Sequence, residues 1–291
     1  MARQIVNAPQ FTQPPYGLWD AVQQPAAPDH WMAGVTFEER CAEAATTYDE
    51  CLVVTGTGSP PPPPAPKAPT FEKAFRGAQP FTVFTEFDCS PVGLTDAATV
   101  ARDALARVEH DRVEAAFWTG TVGGAQTALP HLAADTQIVD TDGIILQSAA
   151  SICVTGVDVA RGLGELEDCL GDCYGGLGII HIPRFALPTF VAAYLVIERD
   201  GGLFTMSGHR IVVSDAYPGT SPAGVAPAAG TAWVYATGAM IGYRSDVRFF
   251  TPRESFDRAE NTMRMIAERT YLLASECCTQ AALITLGTPT T

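Results

Sequence analysis

Lysine is almost missing from this chain. Of its 18 basic residues only Lys67 and Lys73 are lysine, and 32 acidic residues outweigh them to give a formal charge of −14. Gripping nucleic acid through its phosphates needs clustered Lys and Arg, so this balance excludes a sequence-reading DNA binder. Charge of either sign is also scarce, at 17% of residues against roughly 25% in average soluble domains. A surface this lean in charge is often one buried against neighbours, which points to self-association. Apolar runs stay far short of the roughly 20 residues a membrane span needs, and no apolar segment of a secretory signal follows Met1. The eight cysteines are therefore read as mostly reduced, buried thiols of a soluble protein made in the cytoplasm.

Chemistry-bearing motifs are lacking too. There is no Gly-x-Ser-x-Gly nucleophile elbow. His181 stands between isoleucines with no Asp or Ser at a triad-like position, and it reads as a hydrogen-bonded core residue. Gly56-Thr57-Gly58 lacks the lysine of a phosphate loop and runs into prolines, so it is a turn. Cys169 and Cys173 have the spacing of half a zinc site. Adjacent Cys277 and Cys278 point to opposite faces of a strand and cannot supply the other half, so all four read as small packing residues. Glu268-Arg269, at the head of a strand, reads as an ion pair between elements or subunits. With no catalytic, cofactor or metal residues to name, the chain is expected to be structural and not an enzyme.

What is present has a clear order. Residues 1–34 carry Pro9, Pro14, Pro15, Pro25 and Pro28, several aromatics and no periodic apolar face, and read as an extended arm that needs another surface to lie on. Short extended pieces follow at Val35–Phe37, Cys51–Val54 and Phe81–Phe87, the last alternating as a half-buried strand does. Between them Pro60–Pro64, Pro66 and Pro69 bar the chain from a ladder. Phe71, Phe75 and Phe81, beside that run, are expected to lack a core within the chain.

The strongest helix is predicted over about 95–118, capped by Thr95, with Ala97, Ala101, Ala104, Leu105, Val108 and Ala115 at helical spacing. A second helix is predicted over about 157–173, with Val159, Leu163, Leu166, Leu170 and Cys173 on one stripe and Gly175-Gly176 ending it. Leu177–Ile182 has the continuous apolar run of a buried strand, and Phe185–Val196 reads as a helix with Pro188 in its first turn. Helix, buried strand and helix in succession imply a layered lobe. A hairpin turns near Ser207-Gly208, and a Gly/Pro/Ala-rich loop spans 215–230. Strands are predicted at Thr231–Ala236 and Met240–Phe250, a short polar helix at Glu254–Met263, and a terminal strand pair at Tyr271–Leu273 and Ala281–Leu286.

Four blocks, taken in order, carry a family likeness: Glu114–Gly120, Tyr174–Arg184, Gly230–Gly238 and Glu268–Ala282. Together they resemble the major capsid proteins of tailed bacteriophages infecting actinobacteria, which have the Hong Kong 97-type fold. The resemblance covers roughly residues 80–287 and implies an α+β chain. It places an N-terminal arm at 1–34, an extended E-loop region at 35–90, a peripheral domain with a long spine helix at 91–149, an axial domain at 150–235, and a return to the peripheral domain over 236–291. It makes Trp31, Phe71, Lys73, Phe75, Phe81, Glu268 and Arg269 candidates for contact between subunits.

The partners it implies are copies of the chain in the pentamers and hexamers of an icosahedral shell, with portal, scaffold or decoration proteins. The shell encloses double-stranded DNA without binding it sequence-specifically, in a virion assembled in the host cytoplasm. A genome pumped in by a motor need not be gripped, so the acidic charge is compatible with this reading. The roughly hundred-residue scaffolding segment of many relatives is not expected before the arm. Lys67 and Lys73 sit where some relatives form isopeptide bonds, and here non-covalent contact is expected. The alternatives are an encapsulin-like compartment shell and, in another class, a soluble α/β enzyme.

Overall fold

The computed structural model describes residues 11–39, 74–89, 94–126, 129–250, 256–257 and 261–287. Cys51–Val54, Pro60–Pro64, Phe71 and Lys73 lie outside them.

An alanine-rich stretch free of Gly and Pro forms α2, Leu94–Thr119, about 39 Å long at 1.5 Å per residue. It starts one residue before the expected cap at Thr95. Ala97, Ala101 and Leu105 are buried as their spacing requires, and the stripe continues through Val113, Ala116, Phe117 and Trp118. Before it come α1 (Leu18–Ala21), β1 (Val35–Glu39), β2 (Ala74–Ala78) and β3 (Pro80–Cys89). After it, two small hairpins, β4 (Thr121–Val122) with β5 (Ala125–Gln126) and β6 (Ile138–Val139) with β7 (Ile145–Gln147), lead to β8 (Ser151–Asp158).

The next segment holds α3 (Val159–Tyr174), β9 (Ile179–Pro183), α4 (Leu187–Ala192), β10 (Val196–Arg199), β11 (Gly202–Thr205), β12 (Arg210–Ser214) and β13 (Thr231–Thr237). Asp158 caps α3 by accepting the amides of Ala160 and Arg161, both at 3.0 Å. Gly175 ends it at φ 72°, a left-handed geometry that glycine adopts without steric cost. The chain closes with β14 (Met240–Arg244), β15 (Arg248–Phe250), β16 (Phe256–Asp257), β17 (Thr262–Ser275) and β18 (Thr279–Thr285).

Two sheets result. In the long one, β17 runs along β3 on one edge and along β14, β15 and β16 in turn on the other, all antiparallel. The second has seven strands in the order β10-β11-β12-β9-β13-β18-β8, with β12/β9 and β18/β8 parallel. Its central strands alternate, while β8 at the edge carries two bulges. Ile180, Ile182, Ile211, Val213, Val234 and Ile284 pack with Leu163, Leu166 and Leu170 of α3 and Phe190 of α4. Ile179, Val212, Trp233, Tyr235 and Ala281 face the other way, onto Phe117 and Trp118 of α2 and into a core shared with Val83, Ala267, Tyr271 and Leu273 of the long sheet.

Several expectations are corrected. β17 and β18 are consecutive but do not pair. β18 returns to the seven-stranded sheet between β13 and β8, so residues 236–291 do not form one return to the long sheet. Phe256–Asp257 and Thr262–Met263 pair as strands where a polar helix is expected. The expected Met240–Phe250 strand is two strands, because Ser245 turns its hydroxyl to the Thr270 amide at 3.0 Å and breaks the ladder. The Phe185–Val196 helix stops at Ala192: Tyr194 is left-handed at φ 56° and the Leu195 amide bonds back to Phe190, a helix-ending geometry without glycine.

The arm also departs from expectation, since Leu18, Val22 and Trp31 within it are buried against their own chain. Nor are Cys153, Cys169, Cys173, Cys277 and Cys278 reduced packing residues. Cys153 of β8 is disulfide-bonded to Cys169 of α3 across a Cα separation of 6.3 Å, and Cys173 to Cys278 across 6.1 Å. Both separations suit a bridge, and both depend on α3 lying along β8 and the β17–β18 turn.

Leu105 is fully buried between α2 and the long sheet. Leu105→Asp is expected to cost about 4 kcal/mol or more by desolvating a carboxylate, read as insoluble protein or a collapsed circular-dichroism melt. Wild-type yield and melting would show that α2 does not form this core.

Candidate assembly surfaces

Alternation along β3 and β17 gives the long sheet two unlike faces. Phe81, Val83 and Phe87 of β3, with Met265, Ala267 and Tyr271 of β17, point toward α2. Arg269 shares this inner side. Its Nη1 donates to both carboxylate oxygens of Glu109 on α2, at 2.9 and 3.0 Å, and the Tyr271 hydroxyl donates to the same carboxylate at 2.8 Å. Burial, then the nearby Glu109 charge, raises the Tyr271 pKa. Among the residues expected between subunits, Arg269 is thus engaged within the chain. Phe81 corrects the expectation that it lacks an intrachain core, because its ring stacks on Tyr271 with centroids 6.1 Å apart.

The outer face is covered at one end. There Leu272 and Ala274 meet Trp31 and Ala78, with Val35, Phe37, Ile241 and Tyr243 around them. The Trp31 ring lies 5.8 Å from that of Tyr243, so Trp31 too packs inside its own chain. β1 and β2 form this cover, tied down by Arg76, which donates to Glu39 at 2.6 Å and to Ser148 at 2.9 Å. Phe75, at the far end of β2 opposite Glu38, is 54% exposed.

Toward its other end the outer face is open. Phe84 is 56% exposed and Phe250 43%. Register places Glu268 between Phe84 and Arg248, and Ile266 between Glu86 and Phe250. Arg264 bridges Glu86 at 3.4 Å and Asp88 at 3.2 Å. The result is an apolar strip framed by ion pairs on a sheet whose reverse carries α2. Of the sequence candidates only Glu268 falls here. Phe84 was missed, although the Phe81–Phe87 alternation holds the signal: with Phe81 and Val83 inside, Phe84 is an aromatic on the outer side.

The seven-stranded sheet presents apolar groups at its α4 end. Tyr194 is 87% exposed, with Phe185, Val191 and Ile197 nearby in sequence and also exposed. In its interior, His181 hydrogen-bonds the Tyr217 hydroxyl at 3.3 Å and the Thr237 hydroxyl at 3.0 Å. Burial lowers its pKa to about 3, so it is a neutral core residue, as its sequence setting suggests.

A cavity of about 600 Å³ opens beside the end of α2, lined by Thr119, His131, Asp135, Gln137 and Thr220. His131 Nδ1 lies 2.7 Å from the Leu129 carbonyl and Gln147 donates to the His131 carbonyl, bonds that brace the loop. Among the described residues no group of three or more His, Cys, Asp or Glu could hold a metal, and no helix is long and apolar enough to cross a membrane.

Comparison of the whole structure with solved ones decides the fold. A chain of Gordonia phage Cozz matches at a TM-score of 0.54, covering 98% of this chain and 91% of its own. The capsid of an empty GTA particle matches at 0.55, covering 98% and 95%, and the holo-SrpI encapsulin complex from Synechococcus elongatus PCC 7942 at 0.54, covering 100% and 95%. The chain has the Hong Kong 97-type capsid fold. Sequence identities of 10, 12 and 10% in those matches carry the fold and no more. No protein-family model matches the sequence, and no curated protein does.

The open strip on the long sheet and the α4 end are two apolar surfaces among the described residues. Phe84→Ser combined with Phe250→Ser removes exposed apolar area only. The subunit is expected to keep its circular-dichroism spectrum and melt within about 1 kcal/mol of wild type, while assembly measured by light scattering falls at least tenfold. Undiminished assembly would take this strip out of the contact.

Proposed function

We propose that the chain is the major capsid protein of a tailed bacteriophage, a structural subunit that self-assembles into an icosahedral shell enclosing double-stranded DNA. The observation that carries this reading is a likeness to the capsid of a GTA particle that covers 98% of the chain. Its partners are further copies of itself in pentamers and hexamers, with portal, scaffold or decoration proteins completing the particle. The virion capsid is its location and the host cytoplasm its place of assembly. The disulfides would close after release from that reducing compartment. No catalytic role is assigned.

In domain terms we take the long sheet with α2 as the peripheral domain. The axial domain is the seven-stranded sheet with α3 and α4, β18 included. The scarcity of lysine and the net charge of −14 suit an inner wall that does not hold its DNA by neutralising phosphates. Phe71, Lys73 and Phe75 remain contact candidates on the extended region, with Glu268 on the open strip.

A compartment shell without a genome is the second reading, carried by the encapsulin match at an equal TM-score of 0.54. Electron microscopy of particles purified from the producing culture, with an assay for nuclease-protected DNA, tests both. Icosahedral particles holding protected double-stranded DNA are expected. DNA-free particles around a packaged enzyme would move the chain to the compartment reading, and a soluble monomer or dimer at all concentrations would end both.

A further inference from the structure

Residues 11–24 cross the junction between the two sheets and are bonded to both. On one side the Tyr16 carbonyl accepts the Val213 amide of β12 at 2.9 Å, and the Tyr16 hydroxyl donates to Glu198 of β10 at 2.7 Å. On the other, the Gln23 amide donates to the Met240 carbonyl and the Gly242 amide to the Gln23 carbonyl, both at 2.9 Å, beside β14. Between these anchors Leu18 and Val22 are buried in the shared core.

Beneath the midpoint sits Glu114 of α2, a carboxylate only 4% exposed. Its Oε1 accepts the Leu18 amide at 2.6 Å, and Ser214 at the end of β12 is near enough to influence its ionisation. A Cβ at position 17 would lie 2.8 Å from that oxygen, so Gly17 is what lets this segment come so close. One carboxylate on α2 therefore bonds the arm close to the end of β12 in the seven-stranded sheet.

Each element packed around Glu114 brings ionisable or charged groups. Along α2 these are Glu109, His110 and Asp111, from the arm Asp20, after β12 Tyr217, and from the long sheet Arg244 and Tyr271. Glu109 is already held by Arg269. A cavity of about 310 Å³, lined by Trp19, Asp20, His110, Glu114 and Arg244 among others, lies against the carboxylate.

We propose that residues 11–24 are a strap across the sheet junction, latched by Glu114, whose docking takes up a proton and tightens as pH falls. Burial is the largest influence on Glu114 and holds its pKa above the ordinary carboxylate value. The Ser214 side chain, the Leu18 amide and His110 pull the other way, and Asp111 adds to the rise. When the strap lifts, the carboxyl meets water and its pKa relaxes downward. The docked state therefore binds the proton more tightly, and its advantage is fully present below the undocked pKa and lost as pH rises through the docked one. This inference concerns contacts within one chain and holds whether or not the chain builds shells.

Hydrogen exchange of peptides covering residues 14–24, measured by mass spectrometry on the full chain at pH values from about 8 to about 5 and corrected for intrinsic rates, tests it. Wild-type protection is expected to rise on acidification, by at most about tenfold per pH unit, the limit for one proton. Glu114→Gln imitates the protonated side chain and is expected to give strong, pH-independent protection. His110→Gln is expected to keep the wild-type slope. A flat wild-type profile, a slope surviving in Glu114→Gln, or its disappearance in His110→Gln would overturn the proposal. If Glu114→Gln proves poorly folded by circular dichroism, the wild-type slope and the His110→Gln slope still decide the matter.

Discussion

Trp118 occupies the place where the two sheets meet, and the rest of the molecule is arranged around its burial. Its ring lies 4.8 Å from that of Tyr217 and 4.9 Å from that of Tyr235, centroid to centroid, and its indole nitrogen donates to the Thr220 hydroxyl at 2.8 Å. The large apolar body is removed from water while its polar tip keeps a partner. Because α2 is one unbroken rod, fixing its end against the seven-stranded sheet also fixes the angle at which Leu105 and Ala101 present the long sheet. The loop after β12, with no regular structure of its own, is held because it supplies Tyr217 and Thr220 to this ring. Tyr235 reaches the same loop, donating to the Thr220 carbonyl at 2.9 Å.

How much of this was legible in the sequence depended on the range of the interaction involved. α2, α3, the buried β9 and the β11–β12 hairpin are local objects, set by spacing, capping and turn chemistry within a few residues, and they appear where that chemistry puts them. Where partner choice decides, the sequence was silent. Nothing near Ala281 says that β18 leaves its neighbour β17 to sit beside β13. Nothing in the spacing of Cys169 and Cys173 says that each bonds a different strand or turn. The α4 ending at Tyr194 misled because the left-handed position carries a tyrosine where glycine is the usual signal.

The candidate surfaces divide on the same line. An exposed aromatic can be read from strand alternation once the inner face is known, which is how Phe84 stands out. Trp31, Phe81 and Arg269 look equally available in sequence. Each is taken up inside the chain by a residue far along it: Tyr243, Tyr271 and Glu109. Surfaces that form between elements distant in sequence carry no local mark. A resemblance in the order of blocks can point to the fold, but it does not say which side of a sheet stays bare.

The position of β17 and β18 bears on when the chain can fold. β17 is the strand on which every other described strand of the long sheet pairs, and β18 joins β8 to the remainder of the seven-stranded sheet. Both come from residues 262–285. During synthesis α2 and α3 can form early from local contacts, but neither sheet can close until this last stretch has emerged. Non-local pairings of this kind are slow, because loop closure is costly before the contacts reward it. The growing chain therefore keeps its sheet edges unpaired until residues 262–285 have emerged, exposed to aggregation and to chaperones, and both lobes complete their folding within the same short interval.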